Sequence, residues 1–228
     1  MYGHFVKYYN DIFSFDSSLI KQLLPFVKQD GKAVDLGCGT GRLVSLINDL
    51  NMPCEGVDLD FDMIQKANDD YPNYRFIEDS MVHYLEVNKD YDLILCFGNT
   101  LPHLNPHELS HFFQSLKSSL REDGTAIIQL LNYQHILKKR PNQLKTLTFV
   151  HGTFERYYTY HNDTITFRTL LNVGGQVSEG TTTLYPYQKS MLEEMIVNSG
   201  LKVDVRTEID HPAFNEDAFY LTLIITHH

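Results

Sequence analysis

The stretch Ala33-Val34-Asp35-Leu36-Gly37-Cys38-Gly39-Thr40-Gly41-Arg42-Leu43 decides how the rest of the chain is read. Its apolar start ends in an acid and reads as a short buried strand. The glycines at 37, 39 and 41 then read as a tight turn into the periodic stretch Arg42 to Leu50. Strand, glycine loop and helix in that order make a cradle for a small ligand: glycines let the main chain turn sharply and come close, and the helix start offers N–H donors. The dinucleotide fingerprint G-x-G-x-x-G places its third glycine where this chain has Arg42, counted from Gly37, which weakens a nicotinamide reading.

Composition narrows the partners. The chain has 228 residues, 43% hydrophobic, enough for one domain with an insertion and a substantial core. A formal net charge of −10 with no long Lys/Arg run argues against a nucleic-acid partner and favours a small-molecule substrate. No stretch approaches the roughly 20 apolar residues of a spanning helix. The start MYGHFVKYYNDIF lacks the basic-then-apolar form of a signal peptide, so a soluble, cytoplasmic protein without membrane partners is expected. Cys38, Cys54 and Cys96 are odd in number and far apart, as buried free thiols are, rather than a disulfide framework or zinc site.

Further stations follow the loop. Pro53 to Asp60 reads as a second strand ending in acids, 17 residues from Gly41 to Asp58, and an acid at that strand tip can accept from both hydroxyls of a ribose. Asp60 falls where the next helix needs an N-cap. Tyr74 to Met81 is a third strand and its exit, carrying Asp79, Ser80 and Met81. Tyr91 to Phe97, almost continuously apolar, is a fourth strand buried on both faces, delivering Gly98 to Leu104 to the carboxyl edge of the sheet, where ligands sit in open α/β folds. His103, His107 and His111 recur every four residues, but Pro106 suits a helix first turn, which leaves His103 in the preceding loop and only the other two on the helix; no metal site is expected. Helix Glu108 to Leu120 and a turn at Arg121 to Gly124 lead to a fifth strand, Thr125 to Leu131. From Leu147 to Leu184 the pattern turns β-branched and aromatic, indicating three antiparallel strands at 149–160, 164–173 and 177–184. A last helix, Gln188 to Ser199, and strands Lys202–Ile209 and Phe219–Ile225 complete the chain.

Taken together, Asp35-Leu36-Gly37-Cys38-Gly39-Thr40-Gly41, the acids at 58 and 79, and Phe97-Gly98-Asn99-Thr100-Leu101-Pro102-His103-Leu104 resemble the class I S-adenosylmethionine (SAM)-dependent methyltransferases. The last run is similar to the GNS-x-x-HL segment of glycine, sarcosine and amino-sugar N-methyltransferases, and differs from the Asn-Pro-Pro-Tyr tetrad of nucleobase amino methyltransferases. The resemblance covers essentially the whole chain. It implies an α/β, Rossmann-like, seven-stranded, mostly parallel sheet with helices on both faces, formed by residues 1–144 and 185–228, with residues 145–184 as a small inserted antiparallel sheet that covers the site or makes a homodimer contact. It implies SAM as cofactor, held by Asp35, Gly37, Cys38, Gly39, Gly41, Asp58, Leu59, Met63, Asp79, Ser80, Met81 and Phe97, with Tyr9 as a lid over the methionine end. Met63 could equally be core, Asp79 a helix cap, and the cluster Phe5, Tyr8, Tyr9, Phe13 and Phe15 ordinary packing.

Methyl transfer from a sulfonium asks mainly for alignment of a nucleophile. His103 is the candidate base or orienting group and Asn99 a substrate-positioning group, while Arg156, Tyr158 and Arg168 of the inserted sheet are candidate substrate contacts, an arginine being able to hold a carboxylate or phosphate. With no base dyad of the kind an oxygen acceptor needs, nitrogen is the expected acceptor. The competing expectations are a SAM-binding regulatory protein without activity, and a nicotinamide-dependent oxidoreductase.

Overall fold

The computed structural model describes residues 3–13, 18–211 and 213–228. Phe15 of the N-terminal aromatic series lies outside the described residues. Five strands alternate with helices: β1 (Ala33–Leu36), β2 (Cys54–Asp58), β3 (Phe76–Glu78), β4 (Tyr91–Cys96) and β5 (Leu120–Leu131). The N-terminal segment carries α1 (Tyr9–Ile12) and α2 (Ser18–Leu23); α3 (Arg42–Asp49), α4 (Phe61–Asp70), α5 (Met81–Val87) and α6 (Pro106–Ser119) connect the strands. After α7 (Tyr133–Lys139) come β6 (Gln143–Phe149), β7 (Gly152–Tyr160), β8 (Ile165–Val173) and β9 (Gln176–Leu184), then α8 (Lys189–Asn198), β10 (Lys202–Arg206) and β11 (Tyr220–Thr226).

The seven-stranded sheet has the order β10-β11-β5-β4-β1-β2-β3, with β11 antiparallel to both neighbours and the other pairs parallel. Every residue of β1 and β4 is buried, because helices cover both faces of the central strands. One face packs on α5, α6 and α8 through Leu85, Phe112, Phe113 and Ile196; the other packs on α3 and α4 through Val44, Ile47, Ile64 and Ala67.

Beyond shifts of a few residues at element ends, such as the strand read as Lys202–Ile209, which ends at Arg206, two features differ from the sequence reading. The strand expected from Thr125 begins at Leu120, because Arg121 to Gly124 continue extended through a register shift against Tyr91 and Leu93 instead of turning. The separate sheet has four strands, in the order β6-β7-β8-β9, where three were expected. The chain turns at Val150-His151, so β6 and β7 form a hairpin where the sequence reading began a single strand.

Side chains alternate across this second sheet. Phe154, Arg156 and Tyr158 of β7 share a face with Phe167 and Thr169 of β8, and that face looks toward the carboxyl edge of the large sheet. The N-terminal segment closes a third side. Phe5 packs against Phe154 with ring centroids 4.7 Å apart, Phe13 against Phe154 at 5.6 Å, and His4 Nε2 lies 3.2 Å from Thr169 Oγ1.

Candidate active site

Between the carboxyl edge, the second sheet and the N-terminal segment lies a cavity of about 660 Å³. The glycine loop forms its floor. Gly37 N–H donates to Val57 O at 2.7 Å and Gly41 N–H to Cys38 O at 3.0 Å, so the loop is pinned to the end of β2 and to itself. Gly37 sits at φ +76°, and a Cβ there would stand 2.4 Å from the Thr100 side chain, so only glycine fits both the turn and the neighbour.

Asp58, at the tip of β2, accepts from Gly39 N at 2.8 Å through Oδ2 and from Asp60 N at 2.9 Å through Oδ1. Burial raises its carboxyl above the usual range, opposed by these bonds. Beneath the loop Asp35 is buried, and its Oδ1 has no hydrogen-bond partner among the described residues. Burial, with the Asp58 charge nearby, pushes Asp35 up to about 7. The Tyr9 ring stands over Gly39, its hydroxyl 3.6 Å from where a Cβ would be, and burial together with Asp58 and Asp35 pushes the phenol up to about 12. Tyr9 is stacked on Phe5 and packs on Phe13, and Thr40 Oγ1 donates to Asn10 Oδ1 at 2.7 Å, tying this segment to the loop.

At the β3 exit, Asp79 accepts from Ser80 N at 2.7 Å and meets His83 Nδ1 at 2.8 Å. The cap of α5 is Ser80, which accepts from Val82 N, so Asp79 is not the N-cap; Asp60 caps α4 as its position demands.

The β4 exit shapes the other end of the cavity. Gly98 and Asn99 both take left-handed φ, +75° and +67°. Asn99 is held at both ends of its amide: Oδ1 accepts from Leu131 N at 3.1 Å and Nδ2 donates to the Tyr133 hydroxyl at 3.0 Å, linking the β4 and β5 exits. His103 ends a short 3-10 turn, Leu101–His103, before α6, whose capping box is Asn105 with Glu108. Two bonds from the segment returning from the second sheet fix that turn, Tyr185 N to Pro102 O at 2.8 Å and Tyr187 Oη to Leu104 O at 2.7 Å. Burial lowers His103 to about 4, so its imidazole is neutral at neutral pH.

Of the residues singled out from sequence, Tyr9, Gly37, Gly39, Asp58, Leu59, Met63, Asp79, Ser80, Met81, Asn99, His103, Arg156 and Tyr158 line this one cavity. Five do not. Asp35 lies beneath the loop, Cys38 turns its sulfur inward toward Gly56, Gly41 packs on Phe76, and Phe97 packs with the α3-side core. Arg168 is on the outer face, because it pairs with Tyr157 and not with Arg156; it faces Glu179 at 3.4 Å and lies over the Tyr157 ring. Sequence reasoning missed Phe154, Phe167, Thr169 and Tyr220, which also line the cavity. Phe154 has the parity of Arg156 and Tyr158, the one signal that could have found it.

The lining carries Asp58, Asp60, Asp79 and Glu108 against one cation, Arg156, among the described residues. An acidic chamber with an orphaned buried carboxylate oxygen beneath it fits a ligand of net positive charge, and a tip carboxylate beside a glycine loop fits a ribose. SAM meets both conditions.

Residues 33–124 match the family model described as a methyltransferase domain. A curated Staphylococcus carnosus protein, an uncharacterized methyltransferase, is 24% identical over 159 residues, covering 67% of this chain and 73% of its own. A Clostridium acetobutylicum SAM-dependent methyltransferase superposes with a TM-score of 0.84 at 16% identity, covering 99% of this chain and 98% of that one. The sugar N-methyltransferase KedS8 from Streptoalloteichus superposes at 0.69 with 14% identity, covering 100% and 93%. With the motif stations gathered in one acidic cavity on this sheet order, the chain has the fold of the class I, SAM-dependent methyltransferases, and its residues 33–124 match the methyltransferase-domain model.

Proposed function

We propose that the chain transfers the methyl group of SAM to a nitrogen of a small amine. The observation that carries this is one continuous cavity of about 660 Å³, which joins the glycine loop and Asp58 at one end to His103 and the second sheet at the other. That volume is of the order of small-molecule sites, about 300–1,000 Å³. The likeness to a protein described as a sugar N-methyltransferase is in keeping with it.

When bound, SAM supplies an electrophilic methyl on a sulfonium, so the chain's own task is to hold and to orient. Asp58 accepts from the ribose, Asp35 and Asp58 place negative charge under a cationic donor, and Tyr9 closes over the loop. His103, neutral because it is buried, accepts a hydrogen bond from an amine N–H and turns the nitrogen lone pair toward the loop. A group at about 4 is too weak a base to draw the proton from an alkylammonium, so the acceptor enters as the neutral amine and His103 is an orienting group. Asn99, with both amide ends engaged by main chain and Tyr133, acts as a positioning residue for the β4 exit.

The test is turnover with SAM against matched amines and alcohols, read as S-adenosylhomocysteine release and product mass. N-methyl products from amines only are expected, and His103→Ala should lower turnover while leaving donor affinity nearly intact. O-methyl products, or unchanged turnover in His103→Ala, would overturn the proposal.

A further inference from the structure

The carboxylates of the cavity gather at the glycine loop, and the walls of its other end are built from rings. Tyr158 and Phe167 are cross-strand partners on β7 and β8, with ring centroids 5.5 Å apart, and both line the cavity. Tyr220 lies opposite Leu131 where β11 meets β5, and Leu131 N–H donates to Asn99 at the β4 exit that leads to His103. Phe219 and Tyr220 meet edge to face with centroids 5.0 Å apart. They stay 42% and 47% exposed although both line the cavity. Half-exposed aromatic faces at the rim of a cavity are surface that a flat ring buries well. The charges at this end are already engaged. Glu108 closes the capping box of α6, and Arg156 donates from Nη2 to Lys145 O at 2.9 Å with its Nε buried.

We infer that the methyl acceptor is an arylamine, whose flat ring seats among Tyr158, Phe167, Phe219 and Tyr220 while the nitrogen attached to it is presented at His103. This rests on the proposed transfer to a small amine, and it narrows the acceptor class. A nitrogen conjugated with a ring is uncharged at neutral pH, so it enters apolar walls without the cost of desolvating an ammonium. It also needs no base to free its lone pair, in keeping with a neutral His103 too weak to act as one. In the transfer the nitrogen lone pair forms the new N–CH₃ bond as the S–CH₃ bond breaks, and that bond's electron pair stays on sulfur to give S-adenosylhomocysteine. The N-methylarylammonium so formed, a far stronger acid than an alkylammonium, releases its proton to water.

The experiment loads the full ¹⁵N-labelled chain with S-adenosylhomocysteine at neutral pH and titrates it with aniline, benzylamine and cyclohexylamine, followed at the Tyr158 and Tyr220 amides. Aniline is flat and uncharged, benzylamine flat and charged, cyclohexylamine neither flat nor uncharged. Affinity should fall in that order, with aniline ahead of cyclohexylamine by roughly tenfold or more. The double variant Phe219→Leu/Tyr220→Leu keeps apolar bulk at two exposed positions. It should weaken aniline by about threefold to tenfold and leave cyclohexylamine and S-adenosylhomocysteine unchanged. Cyclohexylamine binding as tightly as aniline, or aniline indifferent to the double variant, overturns the inference. So does tighter binding of benzylamine, because the rings would then form a cage for a cation. With SAM in place of S-adenosylhomocysteine, turnover of cyclohexylamine and none of aniline rejects the aromatic acceptor and keeps methyl transfer. The amides of Gly37 and Gly39 report separately: if S-adenosylhomocysteine does not move them, the methyl-transfer proposal fails whatever the rings bind.

Discussion

Buried Asp35 and half-buried His103 titrate in opposite senses. Asp35 loses its proton near 3.8 when exposed but at about 7 in the fold, so between those values the native state binds more protons. Its contribution to stability is complete below 3.8 and is lost as pH rises through about 7. His103 is charged below 6.5 when exposed but only below about 4 in the fold, so its contribution is present above 6.5 and lost as pH falls toward 4. The two offset each other across the mildly acidic range. Asp35→Asn should therefore melt higher than the native chain at pH 8 and lose stability more steeply between pH 6.5 and 4; parallel melting curves for the two proteins would contradict this. The same carboxyl predicts that a cationic donor analogue, which favours the ionised form, releases a proton on binding and binds more tightly as pH rises through about 7. Calorimetry in buffers of different ionisation enthalpy reads that proton directly. Asp58→Asn should weaken S-adenosylhomocysteine by roughly 1–3 kcal/mol, the cost of leaving buried hydrogen-bonding groups mismatched.

At the scale of elements, the turn between β4 and α6 sets His103, and its rigidity comes from the capping box. Asn105 Oδ1 accepts from His107 N and Glu108 N, both at 3.0 Å, and Glu108 accepts in return from Asn105 N at 2.8 Å. Asn105→Ala should cost about 1 kcal/mol in denaturant unfolding. The central elements were legible because each strand is buried on both faces and therefore apolar throughout, as Leu93-Ile94-Leu95-Cys96 shows. The edge elements were not. In β6, the outermost strand of the second sheet, a register shift between Leu144 and Leu147 puts two polar residues between successive apolar ones and breaks the alternation that would mark a strand. Arg168 was grouped with Arg156 because composition does not reveal register; the hairpin pairing of Tyr160 with Ile165 puts the two arginines on opposite faces. The loop residues Gly37, Gly39 and Asp58 were legible because the turn and the close approach admit few alternatives, whereas the fixed amide of Asn99 depends on Leu131 and Tyr133, more than 30 residues away.

In the whole molecule three parts of the chain close one chamber, and Phe154 is where two of them meet. It is 1% exposed, packed on Phe5 and Phe13 of the N-terminal segment. Phe154→Ala should cost about 3–5 kcal/mol, and because Tyr9 stacks on Phe5, it should weaken donor binding as well. A loss of stability with donor affinity unchanged would show that the second sheet and the lid act independently. Calorimetric titration of the purified chain with S-adenosylhomocysteine and, in parallel, with NAD bears on the cavity as a whole. Micromolar binding of S-adenosylhomocysteine, weakened in Asp58→Asn, and none of NAD is the expected result; binding of NAD with none of S-adenosylhomocysteine would contradict the assignment at its glycine loop.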